Sequence, residues 1–325
     1  MSLYFEVFLL ITFLENSKGL KKEASTKNND VEAPPSVSII VPCYNEEETI
    51  GKTITSLLNL KYPDDNLHIV VVNDGSTDDS LRVLQEFRKH PQVTILHKEN
   101  GGKHTALNYA LQYIKTELVG CLDADSFVDE HALLEIIPYF RNKEVMAVTP
   151  AIRVHNPNTV IGYIQRAEYQ LSIFIRRTFA FLDGLIVTPG PFSIFRRIVF
   201  VKLGGYRKAY NTEDLEIALR MQNNHYKIEN AHKAFVYTVA PETIRTLFRQ
   251  RLRWTYGFIK NTVDYKHFYF SRRYGNLGLF ILPIATISIF SVLYFTAIFL
   301  MSVTGGRFRH SFMRQIFLTA QKPDI

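Results

Sequence analysis

At 325 residues and 46% apolar side chains the chain can bury a sizeable core, which excludes a disordered protein. Its two cysteines, Cys43 and Cys121, each lie in an apolar run and exclude a disulfide framework or a CxxC metal site. A net charge of +7 suits an anionic partner without choosing among nucleic acid, phospholipid headgroups and a negatively charged small substrate.

Residues 1–17 form a short hydrophobic segment whose run 3–14 contains Glu6 and is followed by Lys18, Lys21 and Lys22. That is the pattern of a signal anchor or a truncated membrane anchor, and the lack of a small-residue cleavage site argues against secretion. Residues 18–35 are rich in Lys, Asn and Ser and close on Pro34-Pro35, which predicts a linker. A folded domain is expected over 36–262.

Within it, β-branched runs at 37–41, 67–72, 93–97 and 118–122 predict strands. Helical patterns at 47–60, 78–89, 103–115 and 129–141 separate them, with Thr77 or Asp78 as N-cap of the second. This alternation implies an α/β fold, Rossmann-like, with a mostly parallel sheet flanked by helices and ligands bound at the carboxyl ends of the strands. After Met146 the pattern loosens, with a helix over 160–182 and a loop over 184–205 that carries Pro189, Gly190 and Pro191.

Residues 263–276 read as a juxtamembrane segment. The uncharged apolar stretch 277–303 is long enough for a transmembrane helix, and 304–325 is a basic tail. The lysines after the first segment, with Arg272 and Arg273 before the second, place the domain on the cytoplasmic side of the cell membrane by the positive-inside rule. Arg307, Arg309 and Arg314 in the tail pull the other way.

Candidate chemistry sits at the predicted strand ends. After the first strand, Tyr44 and Glu46 put an aromatic face and a carboxylate where a nucleobase could stack, or make a plain strand-to-helix turn. Asp74 precedes the Gly75 turn; helix capping accounts for Asp78 better than for Asp74. Gly101-Gly102-Lys103 at a helix start suits phosphate, though such a loop is also a common flexible turn. Asp123-Ala124-Asp125 clusters two carboxylates on one side of an emerging strand, which favours Mg2+ or Mn2+ with diphosphate oxygens. Thr212-Glu213-Asp214 introduces an amphipathic helix over 215–223, where the acids also suit the helix dipole. Gln250, Arg253 and Trp254 share one region of a helix, where arginine binds phosphate bidentately and tryptophan offers a flat surface to a sugar; a basic face on lipid headgroups is the alternative.

In order, Tyr44-Asn45-Glu46, Asp74-Gly75, Gly102-Lys103, Asp123-Ala124-Asp125, Thr212-Glu213-Asp214 and Gln250 to Trp254 resemble the family 2 glycosyltransferases. The processive branch is the nearest in pattern, with the hyaluronan, chitin, cellulose and poly-N-acetylglucosamine synthases, over about residues 36–260. The resemblance implies a GT-A fold and an inverting, metal-dependent transfer of a sugar from a UDP-sugar to a saccharide or polysaccharide at the membrane. It implies Tyr44, Glu46 and Asp74 around the base, Lys103 near the diphosphate, and Asp123 and Asp125 at nucleotide and metal. Asp214 is implied as general base, Gln250 and Arg253 as diphosphate ligands, and Thr212, Glu213 and Trp254 on the acceptor side.

Two positions depart from the pattern. Asn73 stands where many relatives have Asp, and Thr188-Pro189-Gly190-Pro191 replaces a serine-glycine loop. The loop from Gly190 to Arg196 is similar to that of hyaluronan and chitin synthases, while Asn73-Asp74-Gly75 is closer to poly-N-acetylglucosamine synthases, so N-acetylglucosamine is the expected sugar. With one good span and one marginal one, the chain either is incomplete, or oligomerises or takes an export partner, or does not export its product. Competing readings are a non-processive transferase on a lipid-linked acceptor and an inactive membrane scaffold; the Gln250–Trp254 pentad argues against the first, the retained Asp125 and Asp214 against the second. Dispersed basic residues argue against nucleic acid.

Overall fold

The computed structural model of the protein describes residues 2–25 and 33–303. Helix α1 (Ser2–Ser25) precedes the domain, followed by β1 (Val37–Cys43), α2 (Ile50–Leu58), β2 (Leu67–Asp74), α3 (Ser80–Glu86), β3 (Val93–Lys98), α4 (Lys103–Leu111) and β4 (Leu118–Cys121). The chain continues through β5 (Ser126–Val128), α5 (Ala132–Ile136), β6 (Val145–Val154), α6 (Val160–Phe181), β7 (Ser193–Arg196), α7 (Ile198–Leu203), α8 (Glu213–Asn223), β8 (Lys227–Thr238), α9 (Ile244–Asp264) and α10 (Leu282–Val303).

The strands form one sheet in the order β3-β2-β1-β4-β7-β6-β8-β5. Its first four strands are parallel, as the βα alternation predicts. The other half is mixed: β7 runs antiparallel to β4 and β6, and β5 antiparallel to β8. Strands β6 to β8 lie where the sequence periodicity loosens, because they pair across long separations and not through regular βαβ units, and the three-residue β5 falls between predicted elements.

Strand β1 is buried at every position, as a central parallel strand covered on both faces must be. Its alternation sorts the core: Val37, Ile39 and Val41 pack with Ile50, Ile54 and Leu57 of α2, whereas Ile40 faces Ala106, Leu107 and Ala110 of α4. A third cluster joins Leu215 and Leu219 of α8 to Phe268, Leu277, Ile281 and Leu282, so α8 is packed on the root of α10. Among the described residues one helix, Leu277–Ser302, is long and apolar enough to cross a membrane. Its first turn is a π-helical stretch, Leu277–Ile281.

Several boundaries differ from expectation. The predicted linker 18–35 is helical as far as Ser25, since Lys, Glu and Ala are good helix formers and the preceding apolar run anchors the helix through Phe13 on Phe174 and Phe181 of α6 and Phe5 and Phe8 on Phe280. Residues 26–32 of that linker and the basic tail 304–325 lie outside the described residues. Helix α3 begins two residues later than predicted, with Asp79 as N-cap, because the Asp78 carboxylate accepts from the backbone N–H groups of Ser80 (3.0 Å) and Glu47 (3.2 Å). Helix α8 starts at Glu213, not 215, taking Glu213 and Asp214 into its first turn.

Candidate active site

The carboxyl ends of β1 and β2 are stitched together by side chains that accept from backbone N–H groups. Asn45 adopts a left-handed φ of 54°, which Asn tolerates, and its Oδ1 accepts from Thr77 N at 2.8 Å while its own N–H donates to Ser76 Oγ at 3.0 Å. Glu46 N donates to Ser80 Oγ at 2.8 Å. Asn73 Oδ1 accepts from Ser76 N at 3.1 Å, so the departure from Asp is a turn-closing amide. Tyr44 stands exposed at the rim.

Asp74 is 3% exposed and fully engaged. Its Oδ1 meets Lys98 Nζ at 2.6 Å and Gly101 N at 3.2 Å, and its Oδ2 accepts from Gly102 N at 2.9 Å. The carboxylate thus moulds the loop that opens α4. Gly75, at φ 73°, lies against it so closely that a Cβ would stand 2.7 Å from Asn100 N.

Lys103, at the N-terminus of α4, gathers acids from two other segments: its Nζ lies 2.6 Å from Asp123 and 3.1 Å from Glu213. Burial works against this ammonium, but Asp123 and Glu213 outweigh it and hold it well above the usual lysine range. Reciprocally, burial would raise Glu213, yet Lys103 brings it below the usual carboxylate range. Gly190 presses on this pair, and a Cβ there would come within 2.8 Å of Lys103 Nζ and 2.9 Å of Asp123 Oδ2. The loop carrying it is held by Thr188, whose N and Oγ1 donate to Asp214 O at 3.1 and 2.9 Å, and by Ser193 Oγ donating to Pro189 O at 2.6 Å.

Two carboxyls behave differently from their neighbours. Burial, reinforced by Glu213, pushes Asp214 up to about 6, although Leu215 N donates to its Oδ1 at 2.9 Å. Burial, then Asp123 and Glu46, push Asp125 likewise to about 6. Asp123 has Lys103 as counter-ion, whereas among the described residues Asp125 has only the hydroxyl of Ser126, at 3.1 Å. Among the described residues no group of three or more His, Cys, Asp or Glu converges as a cation cage. The uncompensated Asp125 beside Asp123 fits a divalent cation whose remaining ligands are substrate oxygens. Burial keeps the Cys121 thiol protonated, well above its usual range, so it is inert.

Helix α9 closes the site from the other side. It opens with a reciprocal cap between Thr243 and Thr246. Arg253 Nη1 donates to Asn211 O at 2.8 Å and adds to the field that lowers Glu213. The Gln250 Oε1 is enclosed without a hydrogen bond among the described residues. Arg251 pairs with Glu168 of α6 at 2.7 Å and covers the Trp254 ring at 4.5 Å. Ala209, Tyr210 and Asn211, at φ of 41°, 59° and 60°, form a strained left-handed turn just before Thr212.

The structure therefore brings Lys103, Asp123, Glu213 and Asp214 into one cluster, with Asp125 and Glu46 in its field. It attaches Arg253 through Asn211 and leaves Asp74 one loop removed. Three contributors were not singled out by sequence. Lys98 neutralises Asp74. Asn261 Nδ2 donates to Thr212 Oγ1 at 2.9 Å, and Gly257 leaves room for the Thr212 side chain, with which a Cβ would collide. A glycine inside a helix was the available signal for Gly257; Lys98 had none.

Residues 38–204 match the family described as Glycosyl transferase family 2. The chain is 29% identical over 322 residues to a poly-beta-1,6-N-acetyl-D-glucosamine synthase of Staphylococcus epidermidis, covering 98% of this chain and 77% of the relative. A protein of the same name from Staphylococcus aureus strain COL is 31% identical over 224 residues, 68% of this chain and 54% of that one. Among solved structures, the mannosyltransferase PcManGT from Pyrobaculum calidifontis in complex with GDP-Man and Mn2+ aligns with a TM-score of 0.62 at 21% identity, covering 80% of this chain and 74% of that one. S. aureus TarS 1-349 aligns with a TM-score of 0.51 at 19% identity, covering 70% and 65%. At these identities the two structures attest the fold, which is GT-A.

Proposed function

From the premise that this chain belongs to glycosyl transferase family 2, and is a glycosyltransferase, we propose that it adds N-acetylglucosamine from its UDP-sugar, with inversion, to a growing β-linked polysaccharide at the cytoplasmic face of the cell membrane. The observation that carries this reading is the cluster of Lys103, Asp123, Glu213 and Asp214 at the strand ends, closed by Gly190 on one side and by α9 on the other. The two synthase relatives support the choice of sugar and polymer, and the apolar α10 supports the membrane location.

In this reading Tyr44, Glu46 and Asp74 surround the base. Asp74 acts chiefly by holding the Gly101–Gly102 loop in place. Lys103, Gln250 and Arg253 face the diphosphate, whose leaving oxygen gains negative charge as the glycosidic C1–O bond breaks. Asp123 and Asp125 would hold Mg2+ or Mn2+, which supplies further positive charge to the departing diphosphate when bound. The acceptor hydroxyl oxygen forms the new bond to C1 from the opposite face as its proton passes to Asp214. The electron pair of the broken bond leaves with UDP, so a single displacement inverts the α-linked donor and needs no enzyme nucleophile. Thr212 and Glu213 set the position of Asp214, and Trp254 offers its face to the terminal sugar.

Membranes carrying the chain, incubated with a panel of radiolabelled UDP-sugars, test this. Labelled β-linked polymer from UDP-N-acetylglucosamine, lost in excess chelator and restored by Mn2+, is the expected result. Polymer from another UDP-sugar would overturn the sugar, and full turnover in chelator would overturn the metal.

A further inference from the structure

Helix α6 carries two consecutive arginines with opposite fates. Arg177 is 2% exposed and consumed by the fold: its Nη1 donates to Asn230 O at 2.7 Å and lies 3.7 Å from Glu229. Arg176 is half-buried, yet among the described residues its guanidinium has neither a hydrogen bond nor an ion-pair partner. The fold thus uses none of its five donors, which stay open to a ligand. The charged and titratable groups in its field are Tyr169 on its own helix and Asp214 on α8.

Tyr169 lies seven residues earlier, two turns along the same face of α6. It is half-buried, makes no hydrogen bond through its hydroxyl among the described residues, and lies in the field of Arg251, Arg176, Glu168 and Asp125. The Glu168–Arg251 pair ties this part of α6 to α9, where Arg251 covers Trp254. The Tyr169–Arg176 face thus begins beside the α6–α9 contact at Trp254, and no part of the donor and leaving-group chemistry described above uses it.

We propose that Tyr169 and Arg176 form a subsite for the terminal residues of the acceptor saccharide, across from Trp254. The proposal rests on the transferase reading above. A guanidinium only donates, so its ligand must offer oxygens. The Glu168–Arg251 pair sets this part of α6 beside Trp254, and Asp214 and Asp125 lie in the fields of Arg176 and Tyr169 respectively, so the face borders the proton acceptor as well as the metal-side carboxylate. The hydroxyl and N-acetyl carbonyl oxygens of a sugar suit Arg176, and the ring face of Tyr169 suits its apolar side. Arg176 acts here as a positioning residue that sets the attacking hydroxyl over Asp214.

Steady-state kinetics on the full chain in membranes test this, with UDP-N-acetylglucosamine as donor and a short β-linked N-acetylglucosamine oligosaccharide as acceptor. R176A should raise the acceptor KM about ten- to a hundredfold, the loss of a hydrogen bond from a charged donor. Donor KM and acceptor-free UDP release should stay within about twofold. R176K should recover part of the loss, Y169A should shift the acceptor KM in the same direction, and Y163A on the exposed face of α6 should change nothing. Should R176A fail to fold, R176K and Y169F carry the same comparison. An unchanged acceptor KM overturns the subsite. A proportional loss in donor KM and UDP release also overturns it, placing Arg176 at the diphosphate. A wild-type chain that releases UDP but extends no saccharide overturns the transferase reading together with the subsite.

Discussion

The proposed donor and acceptor sides of the site are built on different principles. On the donor side the carboxyl ends of β1 and β2 are cross-linked by short side-chain-to-backbone bonds, and Asp74 is satisfied by Lys98 at the end of β3 and by Gly101 and Gly102 at once. On the acceptor side the Ala209–Asn211 turn is strained, Gln250 Oε1 and Arg176 are unpartnered among the described residues, and the walls are the helices α6 and α9. The outer faces of those helices expose Val160, Ile164, Ile244, Phe248 and Leu252. A nucleotide has one fixed shape and suits a pocket completed before it arrives. A growing chain end must enter, react and move on, which suits a wall with unsatisfied donors and acceptors.

The largest effect expected from this contrast is at Asp214, where the two sides meet. Asp214→Asn should cut turnover about 10²- to 10⁴-fold, the usual range for a general base, with donor affinity unchanged. Equal losses in both would place Asp214 in donor binding. Folded Asp214 keeps its proton up to about 6, whereas an unfolded aspartate loses it near pH ~4. The folded state therefore binds more protons in that window, and stability falls as pH rises through it. Above pH 6 the buried charge is a cost that asparagine removes, so the inactive variant should melt a few degrees higher, about 1–2 kcal/mol after solvent screening. Wild-type kcat should rise with pH through about 6 and then level off as the base becomes ionised. A profile that is flat from pH 5 to 8 would remove Asp214 from the proton-transfer step.

The next effect belongs to Gly190. Gly190→Ala puts a methyl within 2.8 Å of Lys103 Nζ and 2.9 Å of Asp123 Oδ2, so either the loop or the ion pair must give way. Turnover should fall about ten- to a hundredfold through misplacement of the reacting groups. The melting temperature should shift by little, because the contact is at the mouth of the site. A variant with normal kcat would mean that the loop swings clear when substrate binds.

The sequence made the donor side legible because parallel βαβ units have a regular period, and their loops hold Asp74, Lys103, Asp123 and Asp125 at strand ends by topology alone. Much of the acceptor side was legible only as motifs. Nothing in Thr212-Glu213-Asp214 revealed that Asn261 and Gly257, some 45 to 50 residues on, would receive Thr212. The mixed half of the sheet was unread for the same reason: β6 and β8 pair from Val145 with Lys227 to Val154 with Thr238, and local patterning does not report such distances. Arg176 was visible only as one of several arginines in an apolar helix, and burial without a partner is a property of the fold.

Trp254→Ala should shorten the product several-fold while leaving UDP release and donor KM nearly unchanged. Its ring stacks tolerantly against successive sugars, and it is bridged to α6 through Arg251 and Glu168 without entering the Lys103 cluster. Product sizing by gel filtration, alongside membrane retention, measures this. Detachment from membranes with normal chain length would make Trp254 an interfacial anchor instead.

The smallest effect tests the donor side alone. Lys98→Met removes the ammonium that lies 2.6 Å from Asp74, where the lysine is 19% and the aspartate 4% exposed. Loss of one partner from a fully buried pair is strongly destabilising, but here water reaches the lysine and Asp74 keeps its bonds from Gly101 and Gly102. The cost should therefore be about 1 kcal/mol, lowering the melting temperature by roughly 2–4 °C. Because those two N–H groups belong to the loop that precedes Lys103, the loosened loop should raise donor KM about two- to fivefold, less than one full hydrogen bond to a charged group. Acceptor KM and product length should not move, since none of these groups touches α6 or α9. A change in product length without a change in donor KM would mean that the two sides of the crevice are coupled through α4, and that the pre-formed donor pocket is not independent of the acceptor wall.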